Sequence, residues 1–185
     1  VKVKRLERQQ TASVQRSISE LDEYVSSIDE TLSKGVYATT KPMIASLSTE
    51  LWREATGAKT CLSSLPTNDI DMSQTYKFLS QLGELVMALN RRAASGEKIS
   101  DDERNELISL QQYSKSLSAS ISSLRDGVYN GTIKAISSSS DVPSNEEKEV
   151  KSLSSVLADT EQTVTDFPSL IYDGPFSDHL ADKQP

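Results

Sequence analysis

The fold is decided by residues 14–32, which read VQRSISELDEYVSSIDETL. The apolar residues of this stretch recur at alternating steps of four and three positions, namely Val14, Ile18, Leu21, Val25, Ile28 and Leu32. This spacing gathers them into one narrow stripe along an α-helix. No proline interrupts residues 1–34, and Gly35 is a suitable stop. The pattern predicts a first helix roughly 50 Å long that buries one stripe against its neighbours.

Three more amphipathic helices follow. We expect one from near Pro42 to Leu65, one from about Ser73 to Gly96, and one that begins after Ser100. Ser100 with Glu103 has the spacing of a capping box, which marks a helix start. The apolar stripes are Ile44, Leu47, Leu51, Ala55, Ala58 and Leu62 in the second helix, Leu79, Leu82, Val86, Leu89 and Ala93 in the third, and Leu107, Leu110, Leu117, Ile121, Leu124 and Val128 in the fourth.

The fourth helix is unusually rich in serine at positions 114, 116, 118, 120, 122 and 123. Each serine lowers helix stability relative to alanine, and together they cost roughly 2–3 kcal/mol. The helix therefore depends on burial of its Leu/Ile stripe.

A linker at residues 130–141 precedes the last helical pattern. It contains the turn signal Asn130-Gly131 and a run of serines at 137–140. Ser144 and Glu147 repeat the capping-box spacing. The apolar stripe that follows predicts a fifth helix and consists of Val150, Leu153, Leu157 and Val164.

Residues 167–180 break the helical pattern and read FPSLIYDGPFSDHL. Pro168 and Pro175 exclude a helix because each lacks a backbone donor. We expect an extended strap with a turn at residues 173–175. Leu170 and Tyr172 should dock on the fifth helix, whereas the chain from Phe176 onward should be loose.

Together these patterns predict an all-α fold, an elongated bundle of about five amphipathic helices with coiled-coil-like packing, followed by an extended C-terminal strap. Residues 1–165 should form the helical bundle domain. Residues 166–185 should be an extended segment that leads away from the bundle. The start at Val1 indicates an excised or processed piece of a longer protein.

The composition limits the classes of partner. A formal net charge of -7 argues against nucleic acid, which is bound through clustered basic residues. The basic residues that do cluster are Lys2, Lys4, Arg5 and Arg8, a group of the kind that can flank a membrane anchor. No run of about 18 apolar residues is present, so we expect the chain as given to be soluble.

The sequence offers little for catalysis, and we expect a protein that is not an enzyme and uses no cofactor or metal. His179 is the single histidine, and Cys61, the single cysteine, is interpreted as a small side chain at a helix end rather than a reactive thiol. Asp178-His179 is interpreted as having a structural role, or as lying on the surface by accident, rather than as a catalytic pair. The acids at 101–103 are explained by helix capping rather than by acid catalysis.

Aromatic residues supply the candidate partner contacts, which are Trp52, Tyr172 and Phe176. Trp52 flanks the second stripe beside Leu51, and such a residue is typical of a core edge. The alternative is an exposed anchor for a partner protein.

Several sequence signals follow one another along the chain, namely LWREA at 51–55, Leu65-Pro66, then Thr75, Lys77, Phe78, Leu79, Gln81 and Gly83, and finally residues 167–179. Their order, and above all the last of them, resembles the YpeB family of bacterial spore germination proteins. In that family a helical N-terminal region leads into PepSY-type domains, so the resemblance implies that residues 166–185 are the junction to C-terminal domains that this chain lacks. The chain departs from the family pattern after Gly83, where residues 84–87 read ELVM and make the third helix apolar on a second face.

The resemblance implies a non-catalytic spore protein that works with the cortex-lytic enzyme SleB, through stability, localisation or restraint, in cortex peptidoglycan degradation at germination. It also implies an N-terminal membrane anchor outside this chain and a place at the outer face of the inner spore membrane or in the cortex region. Weak self-association through the first helix is left open. The alternative function is an extracytoplasmic helical-bundle sensor or scaffold domain of a membrane-anchored protein.

Overall fold

The computed structural model describes residues 2–66, 72–135 and 151–165. In chain order the elements are α1 (Lys2–Gly35), α2 (Lys41–Ser63), α3 (Ser73–Ser95), α4 (Asp101–Tyr129), β1 (Ile133–Lys134), β2 (Lys151–Ser152) and α5 (Leu153–Thr165). The two short strands pair in parallel. The predicted helical bundle is confirmed, and the strap at 166–185 lies outside the described residues.

The helix ends follow from local hydrogen bonding. The hydroxyl of Thr40 accepts from the Met43 amide at 3.4 Å, so α2 begins with a capped first turn that also contains Pro42. Ser100 and Glu103 form the predicted capping box, with reciprocal bonds of 3.2 and 2.8 Å. Gly96 closes α3 at a φ of 74°, a conformation that glycine adopts without strain.

The core lies where the predicted stripes meet. α1 packs between α2 and α4, α2 also packs on α3, and α5 lies against α4 and α3. Every residue of the four stripes predicted for α1 to α4 is buried. The sequence pattern did not include two further core aromatics, Phe78 and Tyr113, whose ring centroids are 4.5 Å apart. These rings connect α3 to α4.

The start predicted for the fifth helix is wrong within the described residues. Lys151 and Ser152 pair with Ile133 and Lys134 as strands, so the helix begins only at Leu153. The hydroxyl of Ser152 accepts from the Ser155 amide at 3.2 Å and supplies the cap. Leu153 and Leu157 are buried as expected. The residues predicted to cap and start the helix, Ser144, Glu147 and Val150, lie outside the described residues, as does the side chain of Val164.

The serine-rich face of α4 packs against α1. Ser114 donates to Asp29 at 3.1 Å, Ser118 and Ser26 share a bond of 3.1 Å, and the hydroxyl of Ser122 donates to Asp22. Small hydroxyl side chains let the two helices approach closely while each polar group keeps a partner. The serines therefore form part of a helix interface.

The turn predicted at Asn130-Gly131 is confirmed. Gly131 has a φ of 78°, and the side-chain oxygen of Asn130 accepts from the Thr132 amide at 3.0 Å. This turn brings β1 back toward the C-terminal end of α4.

Candidate partner-binding surface

Two hydrogen bonds fix the register of α2 on α3. The hydroxyl of Ser48 donates to the amide oxygen of Asn90 at 2.6 Å, and the ammonium of Lys59 donates to Ser80 at 3.5 Å. Residue numbers rise along α2 as they fall along α3, so the helices are antiparallel. The two bonds mark two levels along the line where the helices meet.

Trp52 and Met87 lie between those two bonds. Trp52 follows Ser48 by one helical turn and Met87 precedes Asn90 by one turn, so they occupy corresponding positions on the two helices. The exposed fractions are 57% for Trp52 and 60% for Met87. The interpretation of Trp52 as a core-edge residue is therefore wrong, because its side chain is mostly exposed beside the buried stripe of α2. The exposed alternative agrees with the structure.

Gly83 lies one turn beyond Met87 on the same edge of α3. A Cβ added there would meet nothing within 4 Å. By contrast, a Cβ at Gly57 would meet the Tyr24 ring at 2.4 Å, so internal packing explains that glycine. A glycine inside a helix costs about 1 kcal/mol relative to alanine. Because packing within the described residues does not require Gly83, we define Trp52, Gly83 and Met87 as the candidate partner-binding surface.

The remaining sequence candidates have structural roles where the structure describes them. Burial and the nearby Glu20 carboxylate raise the pKa of the Cys61 thiol, which disfavours the nucleophilic thiolate. Glu103 is engaged in the capping box and in an ion pair with Arg92 at 3.0 Å. Asp178, His179, Tyr172 and Phe176 lie outside the described residues. The last two stay predicted partner contacts.

Two carboxyl groups among the described residues have raised pKa values. Burial is the largest cause for both Glu54 and Glu106, and the pKa of Glu106 is raised to about 7 with further contributions from Glu84 and Glu103. Glu54 accepts a bond of 3.1 Å from Thr31. These groups lie on different helices, and the described residues contain no cluster of His, Cys, Asp and Glu that could hold a metal ion.

The comparison with known families covers most of the chain. The profile of the YpeB N-terminal family matches residues 2–137, which include the whole candidate surface. The chain belongs to the YpeB family. A relative is "Sporulation protein YpeB" of Halalkalibacterium halodurans, 27% identical over 103 residues, or 56% of this chain and 23% of that protein. The chain thus matches less than a quarter of that relative, and no solved structure gives a significant match.

Membership in the YpeB family confirms the resemblance seen in the sequence. Sequence reasoning found Trp52 but missed Gly83 and Met87 as members of one surface. The signal was present, because residues 84–87 made the third helix apolar on a second face. The antiparallel register that brings Met87 opposite Trp52 depends on tertiary packing, which periodicity within one helix does not give.

Proposed function

We propose that this YpeB-family domain is a non-catalytic interaction module of the spore, which binds a SleB-type cortex-lytic enzyme and stabilises, places or restrains it during cortex degradation. The observation that carries the proposal is the surface made by the exposed side chains of Trp52 and Met87 and the open space over Gly83, on two helices joined by hydrogen bonds. Family membership and the sporulation name of the relative support the spore setting.

The chemistry of the surface fits a protein partner. Tryptophan and methionine are enriched at protein interfaces, where exposed aromatic anchors often dominate the binding energy. The gap over Gly83 provides space for a partner side chain or backbone beside the two apolar groups. The Ser48–Asn90 and Lys59–Ser80 bonds hold the helices in register, so binding requires little reorganisation.

A binding experiment with matched variants tests this function. The immobilised chain should retain a purified SleB-type enzyme, and the variant Trp52→Ala with Met87→Ala should bind at least about tenfold more weakly. Tyr37→Ala is the control, since Tyr37 is 77% exposed but lies outside the surface. Equal binding by both variants would place the contact elsewhere. If the full-length protein binds the enzyme and this chain does not, the binding site lies in other domains.

The absence of catalysis is tested separately. Purified alone, the chain should not cleave cortex-type peptidoglycan, since Asp101 and Glu103 serve the helix cap. Turnover that is abolished by changing Asp101, Glu103 or His179 would overturn the non-catalytic assignment.

We place the protein at the outer face of the inner spore membrane or in the cortex region. Within the described residues, no helix combines the length and apolarity needed to cross a bilayer.

A further inference from the structure

The first three turns of α1 project beyond the rest of the described bundle. None of residues 2–13 is buried, and Val14 is the first buried residue of the helix. The last residues of α2 and α4 reach only to this level, since Ser64 bonds Ser17 at 3.0 Å and Ser19 bonds Tyr129 at 3.1 Å. Twelve residues of helix are about 18 Å long. We call residues 2–13 the projecting segment.

The projecting segment carries a charge opposite to that of the remaining chain. Its four basic residues and one acidic residue give +3, whereas the whole chain carries -7, so the other residues sum to -10. Beyond it, the exposed side of α1 becomes acidic at Glu23 and Glu30. Between the two regions lies the exposed Arg16, which pairs with Glu20 at 2.8 Å. The change of sign therefore falls within about two turns of the point where the helix leaves the bundle.

The basic residues share one side of the projecting segment. At 100° per residue, Lys2, Lys4, Arg5 and Arg8 fall within an arc of about 160° on the side opposite the buried stripe. Glu7 lies outside that arc. A flat surface can thus meet all four cations at once without approaching the bundle core.

We propose that this basic side docks on an anionic phospholipid surface. A bilayer offers continuous negative headgroups over the full 18 Å, and each Lys or Arg near such a surface increases binding about fivefold. A second copy fits less well, because side-by-side packing would add only Val3, Leu6 and Ala12 as apolar contacts and would bring two +3 segments together. The docking needs no membrane-spanning segment and does not depend on the enzyme partner.

Vesicle binding tests the proposal with the whole chain. In low salt, the chain should sediment with phosphatidylglycerol-containing vesicles and stay in solution with pure phosphatidylcholine vesicles. Binding should disappear near 1 M salt, where the screening length falls to about 3 Å. The variant with Lys4→Gln, Arg5→Gln and Arg8→Gln should bind about 100-fold more weakly.

The matched control removes the same charge away from the projecting segment. The control variant carries Lys41→Gln, Lys98→Gln and Lys115→Gln, three exposed positions that lie outside the projecting segment. This variant should bind the vesicles like the wild type. Circular dichroism should show both variants folded, since none of the six residues is buried. Failure of the wild type to bind, or equal loss in both variants, would overturn the proposal. So would a concentration-dependent mass that only the first variant abolishes, which would assign the segment to self-association.

Discussion

Carboxylates on the two edges of α4 have opposite surroundings. Toward α1, the carboxylates of Asp22 and Asp29 receive hydrogen bonds from side chains of α4. The donors are Gln111, Ser114, Ser122 and Arg125. Toward α3, the partly buried Glu106 instead lies near the carboxylates of Glu84 and Glu103, and its pKa is raised to about 7.

The difference shows that burial alone does not decide the behaviour of an acid in this bundle. A buried carboxylate with donors contributes to helix pairing, whereas one that is desolvated near other carboxylates favours its protonated form. We therefore expect the α1 edge to determine how α1 and α4 pair, and the α3 edge to determine how stability depends on pH.

The largest effect should come from the apolar face that both edges flank. Leu21 and Leu117 are 2% and 1% exposed, and replacement of either by Ala should lower the free energy of unfolding by about 2–5 kcal/mol. Val3→Ala, at a position 69% exposed, should change it by less than about 0.5 kcal/mol. Denaturant unfolding measures all three. Losses under about 0.5 kcal/mol at both leucines would mean that the stripes face solvent.

The next effect should come from the α1 edge. Asp22→Ala removes the acceptor of Ser122 and Arg125, so we expect a loss of about 2 kcal/mol. Asp126→Ala is the control, because that side chain is 65% exposed, and its change should stay within about 0.5 kcal/mol. If the two variants are equally stable, the bonds to Asp22 contribute nothing specific to helix pairing.

The α3 edge should determine how stability depends on pH. The folded protein binds a proton at Glu106 more tightly than the unfolded chain, so this stabilisation is present at low pH and is lost as pH rises from about 4.5 to about 7. Glu106→Gln should flatten that slope and raise stability at pH 8 by about 1 kcal/mol. Glu30→Gln, at an exposed position, should leave the slope unchanged. An unaltered slope in Glu106→Gln would assign the pH dependence to another group.

The smallest effect separates interface serines from exposed serines. Ser118→Ala gains about 0.5 kcal/mol in helix propensity but loses a bond worth about 1 kcal/mol, so its net change should be slightly destabilising. Ser116 is exposed, and among the described residues its hydroxyl bonds only the Gln112 carbonyl of its own helix at 3.4 Å, so Ser116→Ala should stabilise by about 0.5 kcal/mol. Thermal unfolding of the two variants compares them directly. Equal shifts in melting temperature would show that the hydrogen bond between Ser118 and Ser26 of α1 does not stabilise the protein.

Sequence periodicity predicts the helices well because burial in a bundle repeats with the turn of each helix. The stripe from Val14 to Leu32 is buried along its whole length, and the Ser100 and Gly96 signals mark the ends of their helices. These features depend on neighbours within three or four residues. Local sequence therefore contains the information that they require.

Features made between distant residues were not predicted. The bonds from α4 to Asp22 and Asp29, and the corresponding positions of Trp52 and Met87 on α2 and α3, depend on which helices become neighbours and in what register. The strand at 151–152 likewise depends on pairing with β1, which delays the start of α5. The candidate surface was therefore predicted only in part, through Trp52.

The amino end of α3 has a further consequence for the order of folding. Met72 provides no side-chain cap, and the missing acceptor comes from Glu161 of α5, which receives bonds from the Thr75 amide at 3.2 Å and the Thr75 hydroxyl at 2.7 Å. These partners are 86 residues apart, so the first turn of α3 is completed only after a long loop has closed. We expect this end of α3 to be among the last parts of the bundle to form and the first to open. Its amides should be weakly protected from hydrogen exchange until α5 has docked.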